Sequence, residues 1–92
     1  MYRLYLNSEG WKILNISRYE EEIVNCLIDE HNKNKHSYFM IIKCFNNTDE
    51  IVTITRSEDD IVNYLNEFKE RKRLDNIPIL ELKRYIINRR LK

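Results

Sequence analysis

Gly10 and Pro78 are the only glycine and the only proline in a chain of 92 residues. That scarcity excludes chemistry and locates turns. A phosphate-cradling loop or a dinucleotide fingerprint needs several glycines, so that backbone N–H groups can approach the phosphates. One glycine excludes both. Gly10 closes the stretch Asn7-Ser8-Glu9-Gly10 between two short alternating runs, so Tyr2 to Ile16 is expected to form a β-hairpin with its glycine at positive φ. Pro78 suits the first turn of a helix and opens "ILELKRYIINRRLK".

Between these marks the periodicity is regular. Ser17 followed by Glu20 has capping-box spacing, and predicts a helix through "SRYEEEIVNCLIDEHNKNK" that frays at "HNKNKH". Tyr19, Ile23, Cys26, Leu27 and Glu30 share one face of it. "SYFMIIKCF" (Ser37 to Phe45) is β-branched and aromatic, the pattern of a central strand. "NNTD" is a turn, and Glu50 to Arg56 is the returning strand. Ile61, Tyr64, Leu65 and Phe68 then recur at helical spacing. Leu74 to Ile77 make a short corner before the last helix. The expected fold is one α+β domain over residues 1–92. It has a four-stranded antiparallel sheet and three helices on one face, in the order ββαββαα.

Composition narrows the class. Alanine and glutamine are absent while Ile, Asn, Lys and Glu abound, the bias of an AT-rich genome such as that of a low-GC bacterium or its phages. No run of about 18 apolar residues could span a membrane, and the N-terminus lacks signal-peptide form, so a cytoplasmic protein is expected. Cys26 and Cys44 are expected as reduced, inert thiols in apolar segments. No pairing of them with His31 and His36 has zinc-finger spacing. No metal, cofactor or catalytic residue is expected, and the chain is read as a non-enzyme.

Net charge is +1 but unevenly spread: residues 1–68 carry −5 and residues 69–92 carry +6. Helix ends explain much of this. Ser57 is an N-cap closed by Asp60. Glu58, Asp59 and Asp60 sit where the helix dipole favours anions. Arg71, Lys72 and Arg73 sit where it favours cations, at about 0.3–1 kcal/mol per charge. The basic residues, with Lys69, Lys83, Arg84, Arg89, Arg90 and Lys92, could also neutralise phosphates. Yet the last helix begins "PILEL", where a recognition helix would offer polar side chains to base edges. Tyr38, Phe39 and Phe45 could stack on bases or belong to the core. On the last helix Ile79, Leu82 and Ile86 form one apolar stripe. Leu80, Ile87 and Leu91 form a second, with Lys83 and Arg90 between. The second stripe is either buried or a surface for a partner.

"MIIKCFNNTDEIVTITRSEDDIVNYLNEFK" (Met40 to Lys69), about a third of the chain, resembles small phage-encoded anti-CRISPR proteins of low-GC bacteria. The shared features are an apolar strand, an Asn-Asn turn, a returning strand, an acidic Ser-Glu cap and a helix running from Ile-Val to Phe-Lys. The family's acidic surface is matched at Glu58, Asp59 and Asp60, while the tail here is basic. The resemblance implies a non-enzymatic inhibitor that acts by occupying a protein, a Cas effector, in a bacterial host. The candidate partner-binding residues are Glu58, Asp59 and Asp60, with Leu80, Lys83, Arg84, Ile87, Arg90 and Leu91 on the last helix. A second copy of the chain is a further candidate partner. A nucleic-acid-binding regulator using the basic tail is the alternative function.

Overall fold

The computed structural model describes residues 1–90. Its elements are β1 (Tyr2–Asn7), β2 (Trp11–Ser17), α1 (Glu20–Lys33), β3 (Tyr38–Phe45), β4 (Thr48–Thr55), α2 (Glu58–Arg71) and α3 (Ile79–Arg90). This is the expected ββαββαα order. The strands form one antiparallel sheet in the order β2-β1-β3-β4, with β2 and β4 at its edges.

The turns follow local backbone preference. Gly10 has φ +117° and Glu9 φ +60°, and the Gly10 N–H donates to Asn7 Oδ1 at 3.3 Å. Asn46 and Asn47, both at positive φ, make a two-residue hairpin of the kind asparagine tolerates, so β4 begins at Thr48 rather than Glu50. With glycine so scarce, α2 ends on Arg73 in the left-handed region, at φ +58°. The Leu74 N–H donates to the Lys69 carbonyl and the Arg73 N–H to the Glu70 carbonyl, a Schellman ending with arginine where glycine is usual.

Leu4, Phe39 and Ile41 on the central strands are fully buried against Ile23, Val24 and Leu27 of α1 and Ile61, Leu65 and Phe68 of α2. Leu82 and Ile86 of α3 close the same core, so the first α3 stripe faces inward. The molecule measures 35 × 33 × 22 Å. The short dimension is that of one sheet plus one layer of helices, each roughly 10 Å deep.

The start of α1 differs from expectation. Tyr19, not Ser17, is the N-cap residue, and it is exposed rather than on the core face. The Ser17 hydroxyl accepts from the Tyr19 N–H at 3.1 Å and donates to Glu22 Oε2 at 2.6 Å. Glu20 is drawn inward instead of reaching back to Ser17. At α2 the expected N-cap forms, with the Asp60 N–H donating to Ser57 Oγ, but the Asp60 carboxylate accepts from the Arg56 N–H, one residue before the cap, rather than from Ser57.

Candidate functional site

All three helices lie on one side of the sheet, and the register shows what the other side carries. Antiparallel partners point their side chains the same way. Arg3 lies between Ile16 and Ile42, Tyr5 between Ile13 and Met40, and Asn7 between Trp11 and Tyr38. Beyond β3, Met40 pairs with Ile54 and Ile42 with Ile51. The open face is therefore apolar on β2, β3 and β4, while β1 contributes Arg3, Tyr5 and Asn7 to it. Trp11, Ile13, Ile16, Tyr38 and Ile51 each leave between 43% and 56% of their surface in water. A sheet with one solvated face ordinarily alternates apolar-in with polar-out; here both faces are apolar.

Two β-bulges produce this arrangement. Leu14 is the extra residue of β2 and Val52 of β4, and both pack against the core. Each bulge shifts the side-chain parity by one. Ile13 and Ile16, three apart, thereby share the open face, as do Ile51 and Ile54. Among the described strand residues, Arg3 and Asp49 bring charge to this face. A hydrogen bond with Tyr5 raises the Arg3 guanidinium above its ordinary value. Cys44 faces the same way: a hydrogen bond with Asp49, then burial, push its thiol up, so it keeps its proton at neutral pH. Burial does the same to Cys26 on α1. Neither thiol is activated for nucleophilic attack. Among the described residues no three His, Cys, Asp or Glu side chains converge on a point that could hold a metal ion.

The basic tail meets acids of α1. Arg71 makes a bidentate pair with Glu20 at 2.7 and 2.8 Å, and Tyr64 Oη donates to the same carboxylate at 2.7 Å. Burial pushes the Glu20 carboxyl up, but these bonds and the Arg71 charge outweigh it and hold the carboxyl below its ordinary value. Burial and the Glu20 charge raise the Tyr64 phenol. Lys72 pairs with Glu21 at 3.1 Å, and Lys83 with Asp29. Beside this clamp, Tyr19, Leu74, Tyr85 and Arg89 help to line an open cleft of about 720 Å³.

The sequence-derived candidates lie apart from the open sheet face. Glu58 and Asp59 are exposed at the start of α2, while Asp60 is engaged in capping. Leu80 is 97% exposed and Ile87 38%, on the outside of α3. Arg84 is exposed, and Lys83 is tied to Asp29. Arg90 ends α3; its side chain and Leu91 lie outside the described residues. Of the three strand aromatics, Phe39 is core, Tyr38 belongs to the open face, and Phe45 is exposed beside the Asn46–Asn47 turn.

Sequence reasoning missed Trp11, Ile13, Ile16 and Ile51 as a surface. The available signal was the unbroken run Phe39-Met40-Ile41-Ile42, since a strand apolar at consecutive positions is covered on both faces. No protein-family model, curated protein or solved structure matches this chain.

Proposed function

We propose that this protein works without chemistry, by docking the open face of its sheet on another protein. The observation that carries this reading is that face: four strands wide, apolar on β2, β3 and β4, with Arg3, Tyr5 and Asn7 contributed by β1 and Asp49 by β4. Contiguous apolar surface of this breadth is rare on a solitary soluble domain and marks a protein-docking site. The resemblance of Met40 to Lys69 to anti-CRISPR proteins sharpens the partner to a Cas effector. Strand β3 and the Asn46–Asn47 turn, which carry much of that resemblance, also form part of the docking sheet. The nucleic-acid alternative is disfavoured because Arg71, Lys72 and Lys83 are already engaged by Glu20, Glu21 and Asp29.

The test is a titration of the protein into guide-loaded Cas effectors of low-GC bacteria, with target cleavage as the readout. Inhibition should saturate near stoichiometric protein and should be lost when Ile13 and Ile16 are both changed to Glu. Absence of inhibition with every effector removes the sharper version. Inhibition by far less protein than effector removes occupation as the mode of action.

A further inference from the structure

We propose that a second copy of this chain covers the open sheet face, giving a symmetric face-to-face sandwich. The inference rests on the reading of that face as a protein-docking surface and names its occupant. The area fits a copy. The chain exposes 6577 Å² for a mass of 11.4 kDa. A monomer of that mass ordinarily exposes roughly 5,800 Å². The surplus over the whole surface, on the order of 800 Å², is of the size that one partner of a standard stable interface covers.

The charge fits as well. Arg3 and Asp49, the charged residues that the described strands place on the face, are opposite in sign and balance, so a copy meets no strong like-charge field from them and a strongly charged partner finds little complement. The edges argue for the face rather than for strand addition. Both edge strands carry a bulge, the device that blunts edge pairing. Two such faces can stack about 10 Å apart with their strands within about 30° of each other. Two-fold pairing is the commonest closed symmetry, and it needs only one self-complementary patch. A foreign protein reached through the same face would compete with the copy.

Sedimentation velocity of the intact chain, from about 1 to 100 µM, tests this over the affinity range of ordinary homodimers. The wild-type chain should pass from monomer to dimer. The Ile13→Glu, Ile16→Glu double variant should stay monomeric with an unchanged circular dichroism spectrum. If that variant does not fold, Ile51→Lys at the opposite edge provides the same reading. A wild-type monomer at the highest concentration overturns the proposal. So does a dimer that survives charge on the face, or one lost on Leu80→Asp, which would move the interface to α3. Two mixed outcomes separate the proposal from the functional reading. A wild-type monomer whose face variants lose effector binding overturns the copy and leaves the docking reading. A dimer whose face variants inhibit an effector like wild type supports the copy and removes that reading.

Discussion

The two faces of the sheet have similar side chains and different cover. On one, Leu4, Phe39 and Ile41 are sealed beneath three helices. On the other, Ile13, Ile16 and Ile51 remain half in water, although isoleucine is no less apolar there. The covered face states what this chain does with apolar surface when it has something to place on it. Among the described residues, no element covers the open face. Core burial and exposed apolar surface are thus divided between two sides of the same four strands.

Substitutions on the two sides should separate by size. Phe39→Ala empties the covered side and should cost about 3–5 kcal/mol in urea unfolding. Ile16→Ala on the open side should cost under about 1 kcal/mol at protein concentrations too low for assembly, because half of that side chain is already hydrated. Equal costs at such dilution would mean the open face is part of the monomer's core.

The next largest effect concerns what holds the cover in place. Glu20, 3% exposed, ties α1 to Arg71 at the end of α2. Arg71→Met would leave that carboxylate with Tyr64 alone. The expected cost is about 2 kcal/mol, below the usual range for breaking a buried pair because Arg71 is itself half exposed. The sign with pH follows from the depressed carboxyl. The folded state holds the Glu20 proton more weakly than the unfolded chain, so the clamp stabilises fully above the unfolded value near pH 4.3. Its contribution fades as pH falls through the lower, folded value. Glu20→Gln should flatten the acid limb of a stability–pH curve. An unchanged acid limb would show that the clamp contributes nothing.

The sequence disclosed those parts of the fold that depend on neighbours along the chain. Gly10 and the Asn46–Asn47 pair placed the turns, Ser57 placed a helix start, and the spacing of Ile61, Tyr64, Leu65 and Phe68 placed a buried face. It did not disclose what depends on distant partners. Glu20 has capping-box spacing with Ser17, yet Arg71, 51 positions away, takes it instead. The apolar open face depends on a change of side-chain parity that the sequence alone does not show. Ile13 and Ile16 fall on opposite sides of a regular strand, and only the bulge at Leu14 unites them. The second stripe of α3 reads clearly on a helical wheel, and Leu80 and Ile87 of it are exposed, at 97% and 38%.

Two smaller effects test how the cover is capped. Ser57→Ala removes the acceptor for the Asp60 N–H and should cost about 1 kcal/mol. Arg73→Gly should do the reverse, stabilising by about 0.5–1 kcal/mol, because Gly enters the left-handed region without Cβ strain. Thermal melts of both variants, read at a fixed low concentration, would check the signs. A loss of stability in Arg73→Gly would mean that the arginine side chain contributes more than its backbone costs.

Trp11 is the only tryptophan, and it stands on the open face. Acrylamide quenching of its fluorescence across a dilution series therefore tests directly whether a copy covers that face. Cover by a copy requires quenching that weakens, with emission shifting to the blue, as the wild-type concentration rises, and no such change in the Ile13→Glu, Ile16→Glu variant. Quenching that stays constant while the wild-type chain assembles, or a wild-type chain that shows neither assembly nor protection of Trp11, would contradict it.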